Sequence, residues 1–187
     1  AIMASLMGGS RPVRSQTIAG KVPEVDRVSV RVVVDNYQFA VAAGKKVGSV
    51  DVEHFGWGLS GDMQPSRTLI SEFGLSMHAE SRRGNETRNL LMDFGFTPEA
   101  LNNNVSLLAV HPSELDALVL SHGHYDHFGG LVGFLQQNKD TLRAKLPFYI
   151  GGEECFCSRE WVGPPGSGNF GALYRRAPEQ THLAMTY

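Results

Sequence analysis

The sequence predicts an α/β domain. Runs that alternate like strands are interleaved with stretches at helical spacing, the pattern of that class. The chain has 187 residues at 42% hydrophobic composition, enough for one domain with a sizeable core. A short apolar strand, Ala117 to Leu120, runs directly into a cluster of histidines and an aspartate. No internal repeat is found.

Each element has its own signal. Val28, Val30, Val32 and Val34 alternate with Ser29, Arg31 and Val33, which predicts a strand ended by the turn-forming pair Asp35-Asn36. Residues 36 to 67 are rich in glycine and lack periodicity, so loops are expected there, with one short strand near Val50. A second strand is expected from Leu75 to Glu80, with Leu75, Met77 and Ala79 on one face and Ser76, His78 and Glu80 on the other. A third runs from Asn89 to Met92 and ends at Asp93-Phe94-Gly95. Thr97-Pro98 is a helix start, a capping hydroxyl followed by a proline that needs no N–H partner. Leu101, Val105 and Leu108 then form a core-facing stripe. Asn102 to Asn104 weaken that helix, because asparagine has poor helix propensity. Pro112 ends it. A further helix is expected from Phe128 to Gln137, with Leu131, Phe134 and Leu135 buried, and then a strand from Pro147 to Ile150.

Residues 1–20 read as a flexible leader, and residues 21–187 as one domain, incomplete at its C-terminal side. Within it, residues 151–171 are expected to be a long loop rich in glycine and proline. Long loops in compact domains are often lids over a site, and the alternative here is a disordered surface excursion. Trp161 and Phe170 in that loop would stack on a substrate ring or anchor the loop itself.

Composition narrows the function classes. A net charge of −2 and a pI near 6.4 leave no basic footprint for nucleic acid. No stretch approaches the roughly 18 apolar residues of a membrane span. The two cysteines, Cys155 and Cys157, make no disulfide framework and read as reduced packing residues, with a metal role for the C-x-C pair as the weaker alternative. The compartment expected is the cytoplasm, with the mature N-terminus of an exported protein as the open alternative.

The chemistry concentrates in Ser121-His122-Gly123-His124-Tyr125-Asp126-His127-Phe128-Gly129-Gly130. Histidines at i and i+2 leave a strand end on one side, so both imidazoles can reach one cation. Asp126 and His127 sit one turn further, within reach of a neighbouring position. Imidazole and carboxylate are good ligands for zinc, and also for manganese or iron. Gly123 removes a side chain where the backbone must bend, and Gly129-Gly130 lets backbone come close to the site. Packing alone is a poor explanation for four ligand-type side chains within six residues.

The run resembles the H-x-H-x-D-H signature of the metallo-β-lactamase superfamily. Val33-Val34-Asp35-Asn36, Glu72-Phe73-Gly74-Leu75-Ser76 and Leu91-Met92-Asp93-Phe94-Gly95 extend the resemblance. They point to a branch that includes proteins named as pterin-aminobenzene-phosphate synthases. The resemblance runs from about Val28 to Ile150 and implies an αββα sandwich, of which this chain carries the N-terminal portion. It implies that His122 and His124 bind one zinc ion, and that Asp126 and His127 bind a second. In this reading Asp126 also orients the nucleophile, and Asp93 supports the site from behind. The implied reaction is hydrolysis of an ester, lactone, lactam or phosphodiester of a small molecule by a metal-bound hydroxide.

The sequence departs from the family pattern downstream. After His127 the only histidine is His182, a candidate third imidazole, and no aspartate follows Asp140. The bridging carboxylate and last histidine of the family are thus unmatched, so a further C-terminal part or self-association is expected to complete the site. The competing reading is a non-catalytic metal-binding or interaction domain; a third is a transferase-like condensation. His54, His78 and His111 read as isolated structural residues, although the strand of His78 could face the site. Arg82-Arg83 reads as a solvated turn, or as a contact for an anionic substrate.

Overall fold

The computed structural model describes residues 23–37, 43–54 and 66–151, together with the backbone of two strands at 159–162 and 173–176. The leader, the two cysteines, Phe170 and His182 lie outside the described residues.

Strand β1, Arg27–Val34, follows the valine alternation, and a small hairpin comes next, β2 (Lys45–Val47) and β3 (Val50–Val52), where a single strand was expected. Strands β4 (Ser76–Arg83) and β5 (Glu86–Met92) make a longer hairpin. Gly84 turns it at a φ of +57°, a region that disfavours side-chain-bearing residues. Arg82 and Arg83 therefore belong to β4 and not to a free turn, and Arg82 Nε pairs with Glu80 Oε1 at 2.7 Å.

Helix α1, Pro98–Leu107, starts as predicted: Thr97 Oγ1 accepts from the backbone N–H of Ala100 at 3.3 Å. It leads through a 3-10 turn at Pro112–Glu114 into β6, Ala117–Leu120. Beyond β6, the helix expected from Phe128 is broken in two, α2 (Tyr125–Phe128) and α3 (Leu131–Asn138). The interruption falls at Gly129-Gly130, where the chain passes close against the 94–97 segment. A Cβ on either glycine would stand 2.2 Å from a backbone oxygen, Phe96 O or Phe94 O. Strand β7, Phe148–Ile150, follows.

These strands form one five-stranded sheet in the order β1-β4-β5-β6-β7, with β5-β6 and β6-β7 parallel. Each parallel step needs a crossover, which α1 and α3 provide. One face of the sheet packs under these helices. Leu91, Leu118 and Leu120 meet Leu101, Val105, Leu131 and Phe134 there, and Phe94 joins Phe134 and Phe148. The other face carries exposed Val28, Val30, Val32, Leu90 and Tyr149. The described residues thus form a mixed α/β arrangement with a helix layer on one sheet, a partial version of the expected sandwich. Strands β8 (Arg159–Val162) and β9 (Leu173–Arg176) pair antiparallel. The stretch read as one long loop, residues 151–171, therefore contains a strand.

The asparagine triplet, read as a weakness of α1, holds the helix in place. Asn104 is buried, and its amide nitrogen donates to Val33 O at 2.7 Å and Ile70 O at 2.9 Å. Its amide oxygen accepts from Ile70 N at 2.8 Å. Asn102 donates to Pro98 O and accepts from Asn138, linking α1 to α3. Side chains that are poor for an isolated helix are here satisfied by tertiary partners.

Candidate metal centre

The site lies at the C-terminal ends of the parallel pair β5 and β6. Strand β5 is followed directly by Asp93, whose φ of +57° is the left-handed conformation that aspartate and asparagine tolerate better than most residues. That backbone twist accompanies a carboxylate directed at the next strand end. Asp93 is 1% exposed, so each of its oxygens must find donors inside the protein. Oδ1 accepts from Ser121 N at 2.8 Å, and Oδ2 accepts from Ser121 Oγ at 2.8 Å. Oδ2 also lies 2.8 Å from His127 Nδ1. Ser121 Oγ is in turn 2.9 Å from His122 Nδ1.

The three motif imidazoles are brought together. The ring of His122 is 4.1 Å from that of His127 and 4.5 Å from that of His124, centroid to centroid. Asp126 Oδ2 stands 3.6 Å from His127 Nε2. The pKa of His122 lies below the usual histidine value. Burial is the main cause; His127 and His124 add to it, and Asp93 and Asp126 oppose it. A ring kept neutral retains a lone pair for a cation. The donor chemistry therefore suits a metal, whereas among the described residues no three His, Cys, Asp or Glu side chains are placed to hold one ion. A catalytic zinc typically takes three protein ligands.

The surrounding loops are tied to the motif by backbone bonds. Leu75 N donates to Asp126 O at 3.2 Å, and Phe94 N donates to His127 O at 2.7 Å. Gly74 has a φ of +135°, and a Cβ there would meet Asp126 O at 2.5 Å. Two residues of the quoted motifs have roles that the sequence did not reveal. Glu72 accepts from Phe96 N and Thr97 N at 2.8 Å and from Thr97 Oγ1 at 2.6 Å, clamping the loop after β5. Ser121 opens the motif but is a common residue type with no ligand chemistry, so only the fold reveals its bonds. Tyr125 packs edge-on against Phe96 at 4.9 Å and Phe128 at 5.3 Å.

The isolated histidines lie elsewhere. His78 is buried in the middle of β4, in register with Arg31 and Leu91. Its pKa is lowered, mainly by burial and then by Arg31, against a hydrogen bond with Asn89 and the charges of Glu80 and Glu114. It serves the core under the helices and not the motif. His54 lines a cavity along β1, three strands from β6 in the sheet order. His111 stands at the start of the 3-10 turn, where its side chain makes no capping hydrogen bond. No helix among the described residues is long and apolar enough to cross a membrane.

Residues 82–145, from the end of β4 to beyond α3, match the model of the Metallo-beta-lactamase superfamily, so the resemblance carried by the motif stands. More particularly, the chain is 35% identical over 71 residues to a Methanocaldococcus jannaschii protein named 7,8-dihydropterin-6-methyl-4-(beta-D-ribofuranosyl)-aminobenzene-5'-phosphate synthase. The alignment takes in 37% of this chain and 24% of the relative, so the chain spans about a quarter of the relative's length.

Proposed function

We propose that this chain carries the first half of the metal site of a metal-dependent hydrolase acting on an ester, lactone, lactam or phosphodiester. The observation that supports it best is the packing of His122, His124 and His127 ring against ring beside Asp126, with His127 backed by Asp93. In this reading His122 and His124 hold one zinc ion, and Asp126 and His127 a second, with manganese or iron as substitutes. Such ions supply a hydroxide nucleophile near neutral pH and polarise the oxygen of the substrate. The residues of the chain orient the ligands. Asp93 fixes the ring of His127, and burial lowers the pKa of His122. Asp126, a carboxylate beside the imidazoles, is the group that would orient the attacking water.

A second reading is a metal-binding or interaction domain without catalysis. It is favoured by the absence, among the described residues, of three groups placed to share an ion. The name of the relative, a synthase, adds a condensation as a third reaction type. Equilibrium dialysis with zinc and manganese, paired with assays on a chromogenic phosphodiester, a lactone and a β-lactam, separates the readings. Weak metal binding and slow turnover are expected of this chain alone. Turnover that is abolished by His122→Ala supports the hydrolase. Metal uptake with no turnover on any substrate, alone or with a completing partner, supports the binding domain.

A further inference from the structure

We propose that Ser121 is a positioning residue: with Asp93 it forms a relay that sets the tautomer of His122 as well as of His127, so that both rings present an unprotonated Nε2. The inference rests on the metal-site reading above only for its purpose. The relay itself follows from hydrogen-bond geometry.

A carboxylate only accepts, so the groups facing Asp93 Oδ2 must donate. One is the hydroxyl of Ser121 at 2.8 Å. The other is His127 Nδ1 at 2.8 Å, which must therefore carry its proton. A serine hydroxyl has a single hydrogen. Because that hydrogen points to Asp93, Ser121 Oγ can only accept from its remaining neighbour, His122 Nδ1 at 2.9 Å. His122 therefore also carries its proton on Nδ1. The chain of donation runs from His122 through Ser121 to Asp93, and from His127 directly to the same oxygen. A neutral imidazole has one N–H, so the lone pair of each ring is left on Nε2.

Two further contacts make the relay rigid. Ser121 N donates to Asp93 Oδ1 at 2.8 Å, so one residue is gripped by both carboxylate oxygens. The following strand closes over it: a Cβ at Gly151 would stand 1.8 Å from Ser121 O, which only glycine allows. Serine is thus held in the one place from which its hydroxyl reaches both Asp93 and His122. Alanine would keep the backbone bond to Oδ1 and lose the relay to His122 alone, whereas threonine would keep the hydroxyl.

The test reads protons, not turnover. Ring nitrogen-15 shifts of the histidines are recorded on the full metal-free chain at a pH where imidazoles are neutral, for the unaltered protein, Ser121→Ala and Ser121→Thr. The expected result is that His122 and His127 are both Nδ1–H in the unaltered protein. In Ser121→Ala only His122 becomes a tautomer mixture, zinc affinity falls about tenfold, and Ser121→Thr restores both. An Nε2–H His122 in the unaltered protein overturns the relay, as does a His122 signal that Ser121→Ala leaves in place. If Ser121→Ala does not fold, the unaltered and threonine spectra still decide. Correct tautomers with no zinc bound by the unaltered chain would instead uphold the relay and count against the metal-site reading.

Discussion

Replacing Asp93 by asparagine tests the centre with little change of shape. The substitution keeps the side-chain outline, and asparagine tolerates the φ of +57° at this position. It changes the acceptor count. Asp93 receives three hydrogen bonds on two oxygens, two from Ser121 and one from His127. An amide offers one oxygen and one NH2. If the NH2 takes the Oδ1 place it opposes Ser121 N–H, which cannot turn away. If it takes the Oδ2 place it opposes His127 Nδ1–H, and His127 must move its proton to Nε2 and so lose its ligand lone pair. Either outcome forfeits a hydrogen bond to a charged acceptor, about 1.5–3 kcal/mol. Loss of a carboxylate behind a ligating histidine typically lowers metal affinity about 10- to 100-fold, which is about 1.4–2.7 kcal/mol. The two estimates agree, so zinc affinity is expected to fall by at least about tenfold while the chain stays folded. Competition with a chromogenic chelator measures the affinity, and far-ultraviolet circular dichroism checks the fold. Zinc affinity within about twofold of the unaltered chain would refute the reasoning.

Three other outcomes follow from the same structure. His122→Ala and His124→Ala should each remove most bound metal while His54→Ala, three strands away, does not; metal content by inductively coupled plasma analysis decides, and unchanged content in both motif variants sinks the assignment. Asn104→Ala strips partners from Val33 O and from both backbone groups of Ile70, three groups at about 1 kcal/mol each, so urea unfolding should show a loss of about 3 kcal/mol; under about 1 kcal/mol would show the bonds replaced by water. Acid should destabilise the fold through His78 and His122, whose pKa values are lowered from 6.5. The unfolded chain takes up these protons first, so stability is full above pH 6.5 and falls as pH drops from there towards the folded-state values. Unfolding midpoints across that range should show a shallower slope in His78→Asn, and an unchanged slope would remove His78 from the account.

The sequence by itself determined the elements whose cause is local. The valine alternation marks β1, Thr97-Pro98 caps and starts α1, and the apolar run of β6 leads into the ligand motif. It also marked out the candidate ligand set, because ligand types at i, i+2, i+4 and i+5 need no distant partner to be recognised. Tertiary structure decided which face of each element matters. Period two in β4 separates Met77 from His78 but does not say that His78, and not Met77, lies under the helices; that depends on where α1 and α3 pack. The same holds for Asn104, unfavourable to a helix alone and satisfied only by Val33 and Ile70, some 71 and 34 residues away in the chain. The need for glycine at 129 and 130 comes likewise from the 94–97 segment, whose backbone oxygens leave no room for a Cβ. Ser121 and Glu72 act through hydrogen bonds to residues distant in sequence, and bonds of that kind leave no periodicity, spacing or composition to read.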